Sequence, residues 1–281
     1  SNFFSILVIY IRKVKLKRAL IIILLFLGWV SSAQHRQIID IKTNFEKKTL
    51  LISQEIEYNN TSPDTLRKIV FYDWNNAFSS KYSALAKRFS DEFIRAFHLA
   101  NDIDRGVTEV LNCLDENNAT LTWDRTQKVD LLEVNLNSPI LPNQSQKIHL
   151  IYTLKLPNEK FTRYGFKDES KIYLRDWLIT PCKYVNKGFI TYSNESLDDK
   201  TNVPTTYDIT ITIPDGFYIA SSLEIKNMNN TTFKLSGENC LETDVIISKD
   251  REFTSFKNEF VEVSTSLEPK RLEEYQQAIV I

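Results

Sequence analysis

The chain has 281 residues, 42% hydrophobic and 25% charged, which is enough for one large β domain or two smaller ones and excludes a disordered chain. Its 35 basic and 36 acidic residues nearly cancel, so no whole-chain field draws in nucleic acid or an anionic surface. Only 6 glycines occur, with no G-x-G-x-x-G or P-loop pattern, which excludes Gly-rich phosphate cradles and leaves turns to Asn, Asp, Ser and Pro.

The first predicted element is an export signal. Residues 12–18 are rich in Lys and Arg, residues 19–30 are apolar, and Ser31-Ser32-Ala33 precede Gln34. A basic segment, a short apolar run and small residues at the cleavage point are the order of a secretory signal, with cleavage expected between Ala33 and Gln34. The apolar run falls short of the roughly 20 residues that a permanent spanning helix needs, so no permanent membrane span is expected. The protein is then expected to be periplasmic, on the cell surface or secreted. The alternative is an uncleaved signal anchor, because apolar residues 3–11 upstream have no role in a cleaved signal. Met228 is the only Met, so Ser1 is not expected to be a translation start and the chain reads as a fragment.

From residue 36 the dominant pattern is period two, the mark of strands with one buried face. Leu50, Ile52, Ile56 and Tyr58 share one face, with Ser53, Glu55 and Glu57 on the other. Ile148, Leu150, Tyr152, Leu154 and Leu156 repeat the pattern, and so do Tyr207, Ile209, Ile211 and Ile213, before a turn at Pro214-Asp215-Gly216. Further strands are expected near 36–45, 66–73, 106–113, 119–124, 129–136, 170–180, 188–194, 217–225, 231–236, 243–248 and 259–265. One segment breaks the rhythm: Tyr82, Leu85, Ala86, Phe89, Phe93 and Phe97 fall at helical spacing over 82–97, with Ser79 or Ser80 placed to cap the start. Residues 267–281 read as a second helix. The predicted architecture is mainly β, an antiparallel β-sandwich or saddle with one inserted amphipathic helix and a C-terminal helix that begins the next domain.

Catalytic patterns are missing. His35, His98 and His149 have neither H-E-x-x-H nor H-x-x-x-H spacing, so they are expected to be exposed or locally bonded, and no metal ligand is assigned. There is no G-x-S-x-G elbow, and the carboxylate pairs Glu55 with Glu57 and Asp198 with Asp199 read as solvated charges. Cys113, Cys182 and Cys240 form no C-x-x-C pair; free thiols are expected, one disulfide with a spare thiol being the alternative.

Several short stretches together resemble a known family. Thr61-Ser62-Pro63-Asp64-Thr65-Leu66 and then Trp74-Asn75-Asn76-Ala77 are similar to an "N-x-S-x-D-x-L" phrase followed by "N-A". Leu141-Pro142-Asn143 and Pro157 resemble "L-x-P-G-x-S... I-P". Arg163-Tyr164-Gly165-Phe166, Trp177-Leu178-Ile179-Thr180-Pro181 and the strand 207–214 resemble "R-x-G", "W-x-P" and "D-V-T-I-T-V-P", in the same order. The family is that of the aminopeptidase N-like zinc metallopeptidases, the gluzincins, in a divergent exported bacterial branch.

The resemblance implies that 1–33 are upstream residues and signal, 34–266 a non-catalytic N-terminal β-saddle domain, and 267–281 the start of a truncated catalytic domain. Zinc, bound by H-E-x-x-H and a distant Glu, is implied for the complete parent and not for this chain. The implied partners are the parent's peptide or protein substrate and its own catalytic domain. The family's cleft-lining loop corresponds to residues 173–184, where the expected Gln-x-Glu is missing, and Trp177 and Tyr184 are the candidate cleft residues, core aromatics being the equal alternative. Asn143 stands in place of the family's usual Gly. The rival expectation is a stand-alone secreted β-sandwich module that binds peptide or glycan through exposed Tyr164, Phe166 and Trp177. A surface protein without a ligand is a third.

Overall fold

A computed structural model describes residues 34–125, 127–192, 201–249, 253–257 and 262–265. The chain divides into two compact units, Ser1–Ala33 and Gln34–Ile281, and every described residue belongs to the second. The expected signal, the C-terminal helix and Asp198 with Asp199 lie outside the described residues.

The strands follow the alternation of the sequence. They are β1 (His35–Asn44), β2 (Thr49–Asn59), β3 (Leu66–Tyr72), β4 (Val107–Asp115), β5 (Trp123–Arg125), β6 (Leu131–Ile140) and β7 (Ser145–Lys155). Shorter pieces come next: β8 (Gly165–Phe166), β9 (Lys171–Leu174), β10 (Thr180–Pro181), β11 (Tyr184–Val185) and β12 (Gly188–Phe189). The series ends with β13 (Thr205–Thr212), β14 (Tyr218–Ser221), β15 (Glu224–Asn227), β16 (Thr232–Cys240), β17 (Val245–Ser248), β18 (Thr254–Lys257) and β19 (Glu262–Thr265).

A seven-stranded sheet runs β15-β16-β13-β1-β2-β7-β4, and two four-stranded sheets run β10-β3-β6-β5 and β14-β17-β9-β8. Among the described strands, ladders are antiparallel except between β1 and β13, which lie parallel from His35 opposite Thr205 to Lys42 opposite Thr212, and Asn158 makes an isolated parallel bridge to Phe166. One face of the large sheet carries Ile39, Ile41, Ile52, Ile56, Ile148, Tyr152, Ile209 and Ile211. They join one core with Ile69, Phe71 and Val134 of one small sheet and Ile172, Val245 and Ile247 of the other. Burying a side chain of this size contributes roughly 1.5–3 kcal/mol, so the inward face fixes the register of each strand. The fold is mainly β and antiparallel.

The inserted helix is shorter than its sequence pattern. Helix α1 spans Ala84–Asp91, and its N-cap is Ser83, whose hydroxyl accepts from the Ala86 N–H at 3.2 Å, not Ser79 or Ser80. Leu85, Ala86 and Phe89 face the core. The helix stops because Phe93 turns left-handed at φ 61, while the Phe93 N–H bonds Ser90 O and the Ile94 N–H bonds Phe89 O. That is the bonding of a left-handed C-cap, in which Gly is the usual residue. Tyr82 and Phe93 therefore leave the apolar stripe and stand 83% and 91% exposed, and Phe97 reaches the core from the following segment, against Phe78 and Phe89.

Candidate functional site

The stretches that carry the family resemblance meet one another in space. Asn60 is buried, and its side-chain amide donates to Asp64 O at 2.7 Å and to Ile140 O and Leu141 O at 3.2 Å. Its carbonyl accepts from the Ser62 N–H and hydroxyl, which folds the Ser62-Pro63-Asp64 turn. The Asn143 N–H donates in turn to Asn60 O at 2.8 Å. The first phrase of the motif set is thus fastened to the 141–143 phrase. Asn143 has φ 59, a left-handed conformation that Asn tolerates, so replacing the family's usual Gly keeps the turn.

A second joint forms at the 3-10 turn Trp74–Phe78. Asn75 accepts from the Tyr164 hydroxyl at 2.9 Å and donates to Thr108 Oγ1 and Lys155 O, both at 3.2 Å. Asn76 donates to Val129 O at 2.6 Å and accepts from the Thr108 N–H at 3.1 Å. Beside them Asp73, fully enclosed, accepts from the Thr108 hydroxyl and from the Arg125 guanidinium, each at 2.7 Å. Burial pushes the Asp73 carboxyl above its ordinary pKa, against the opposing pull of Arg125, Thr108 and Asn76.

The third joint is steric. At Gly165, φ is +110 and a Cβ would stand 1.8 Å from Pro157 O, so only Gly lets the two motif segments touch; the adjacent Phe166 N–H bonds the same carbonyl at 2.9 Å.

Trp177 and Tyr184 sit in different surroundings. Trp177 is 1% exposed, and its indole N–H donates to Thr243 O at 2.6 Å. It borders a cavity of about 20 Å³ shared with Trp74, Tyr207 and Thr243, room for about one water and none for a peptide side chain. Tyr184 is partly buried, with its ring against Phe189 and its hydroxyl donating to Asp64 at 3.2 Å. Burial and the Asp64 carboxylate both raise its pKa. Tyr164 and Phe166 are 2% and 3% exposed. Tyr164, Phe166 and Trp177, expected to be exposed in a stand-alone binding module, are therefore buried instead.

Gln54 and Gln37 lie on the buried face of β2 and β1, where alternation alone gave no hint of a polar network. The Tyr152 hydroxyl donates to Gln54 Oε1 at 2.6 Å, and Gln54 Nε2 donates to Gln37 Oε1 at 2.7 Å and to Ile179 O at 2.8 Å. This links the large sheet to the Trp177–Pro181 motif segment through the core.

The histidines are apart. His35 is buried, stacks on Tyr58 with ring centroids 4.6 Å apart, and accepts from the Asn59 N–H at Nδ1; burial lowers its pKa to about 4. His98 bonds Ser90 and Ala86 O beside α1, and His149 lies 3.5 Å from Glu55 on the outer sheet face. Glu55 is also paired with Lys147 at 2.8 Å. Among the described residues no three His, Cys, Asp or Glu side chains converge on a metal position, so these residues do not fit a zinc site. Cys113, Cys182 and Cys240 are free thiols, the first two buried. Burial raises the pKa of all three, to about 12 for Cys113. Among the described residues no helix is long and apolar enough to cross a membrane.

No protein-family model matches the chain, and no curated protein matches it. Solved structures to which it is similar include an M1 zinc metallopeptidase from Deinococcus radiodurans, 16% identical, with a TM-score of 0.42 over 82% of this chain and 45% of that one. A two-domain M1 zinc metallopeptidase variant bound to L-tryptophan is 15% identical, with a TM-score of 0.43 over 83% and 47% of the two chains. Yeast LTA4 hydrolase in complex with bestatin is 11% identical, with a TM-score of 0.43 over 87% and 32%. The chain spans less than half the length of each.

Proposed function

We propose that this chain holds the non-catalytic N-terminal β domain of an exported zinc metallopeptidase of the aminopeptidase N-like kind, and that in the complete parent the domain walls the peptide cleft. The observation that carries the reading is the mutual bonding of the resembling stretches. Asn60 meets the 141–143 phrase, Asn75 meets Tyr164, and Pro157 meets Gly165. Chance similarity of short phrases gives no reason for their residues to find one another.

The export part of the reading is supported by the basic, apolar and small-residue order of 12–33, and by the coincidence of the expected cleavage point with the start of the compact unit at Gln34. Zinc chemistry belongs in this reading to a following catalytic domain, which supplies an activated water and a general base. No step of hydrolysis is assigned to the β domain, whose part is to hold shape beside the cleft and to contact the catalytic domain. With Trp177 enclosed, Tyr184 is the candidate of the two that has surface to offer a substrate.

The test is to purify the 281-residue chain, measure its zinc by mass spectrometry, and assay it against aminoacyl anilides and short peptides. Neither bound zinc nor hydrolysis is expected. One zinc per chain, or turnover that a chelator abolishes, would refute the non-catalytic reading.

A further inference from the structure

The two edges of the seven-stranded sheet are finished differently. β4 carries a bulge between Val110 and Asn112, and the returning chain covers its far end, where the Leu121 N–H donates to Cys113 O at 2.9 Å and Leu114 bridges Thr120. At the other edge β15 pairs with β16 in an unbroken register from Glu224 opposite Ser236 to Asn227 opposite Phe233. Among the described strands it has no second neighbour, and all four of its residues are exposed.

The direction of its main-chain groups follows from two bonds. The Met228 N–H donates to Thr232 O at 3.0 Å, continuing the β15–β16 register, and the Ile213 N–H donates to Thr231 O at 2.8 Å on the other side of β16. Bonding direction alternates along an antiparallel strand. Glu224 and Lys226 therefore bond toward β16, and the N–H and C=O of Ile225 and Asn227 point out of the sheet. Such a row is a template for another strand.

The side chains on this edge are unevenly served. Lys226 stands directly opposite Lys234, a like-charge pair, and Lys234 is held by Asp208 at 3.1 Å. Among the described residues, Glu224 and Lys226 form no ion pair. Ile225 lies opposite the fully buried Leu235, on the core side, yet is 38% exposed because the sheet ends beside it. An open groove of about 1080 Å³ borders that side, with Phe217, Leu223, Ile225, Phe233 and Val263 in its lining.

A second β15 fits this edge in one register. Centred on Ile225, an antiparallel pair exchanges N–H and C=O bonds between the two Ile225 residues and sets Glu224 of each copy opposite Lys226 of the other. Directly opposed Cβ atoms stand roughly 4.5–5.5 Å apart, within ion-pair reach for Glu and Lys. A slip of two residues either way sets Lys226 on Lys226 or Glu224 on Glu224, so charge selects the register. We propose that β15 is a homodimer edge, at which two copies of this chain pair antiparallel about Ile225 and continue the sheet from one protomer into the next. The contact is isologous, each charged pair occurring twice. The proposal is independent of the peptidase reading.

The test is sedimentation velocity of the 281-residue chain over a range of concentrations. A reversible monomer–dimer equilibrium is expected, in the weak class because few residues pair. Glu224→Lys alone, or Lys226→Glu alone, sets like charges opposite at both ends and should weaken dimerisation at least about tenfold. The double variant E224K/K226E exchanges the partners and should restore it to within about threefold. Ile225→Pro removes the central outward N–H and should abolish the dimer. Circular dichroism checks that each variant folds, and the charge reversals are at exposed positions. A monomer at every concentration overturns the proposal. So does a dimer that the single reversals leave unchanged, or one that the double exchange fails to restore.

Discussion

Around Asp73 and Asn75 charged and amide groups are closed on one another inside the domain, whereas Lys167, on the loop after β8, and Lys249, just past β17, are exposed to water. The joint fastens segments far apart in sequence, such as Asn75 with Tyr164 and Asp73 with Arg125, so its cost on alteration falls on folding. Charges left in water contribute little to folding, so altering them acts on what they could bind. The difference separates groups that hold the fold together from groups that face solvent within one domain.

The largest effect is expected at the steric joint. Gly165→Ala drives a Cβ into Pro157 O and should cost more than about 3 kcal/mol, read from urea melts as loss of a cooperative fold. If it melts like the parent chain, the contact of the two motif segments is not structural. Next in size, Arg125→Met leaves the enclosed Asp73 carboxylate without its cation and should cost about 3 kcal/mol in the same measurement.

His35 adds a pH signature to the enclosed side. Its folded pKa of about 4 lies below the ordinary 6.5, so the folded state favours the neutral ring. Stability from this group is full above pH 6.5 and is lost as pH falls toward about 4. Between pH 7 and pH 4.5 the chain should lose about 2 kcal/mol more than a His35→Gln variant does. Parallel pH profiles would show that His35 is not held neutral.

Two substitutions sharpen the exposed side. Phe93→Gly should stabilise by about 0.5–1 kcal/mol, because it relieves a left-handed phenylalanine whose ring is almost wholly in solvent. Lys167→Gln with Lys249→Gln should change stability by less than about 0.5 kcal/mol, in contrast to every change at the joint.

The sequence made the strands legible where one face is continuously apolar, as in β2, β7 and β13, since alternation and burial share period two. It did not reveal the parallel pairing of β1 with β13, because nothing in either strand encodes the direction of a neighbour more than 150 residues away. The aromatic spacing from Tyr82 to Phe97 overstated the helix: Phe97 does reach the core, but through a chain reversal at Phe93 that spacing cannot distinguish from another helical turn. The motif stretches were legible as a resemblance, while their partners were not, since Thr108, Arg125 and Gln54 belong to no motif. Trp177 and Tyr184 could be named from sequence, but only packing separated an enclosed indole from a partly exposed phenol.

The peptidase reading is tested most directly by the coding sequence downstream of Ile281. An in-frame continuation carrying H-E-x-x-H and a later Glu ligand is expected; a stop codon there, with no continuation in another frame, would refute the peptidase reading.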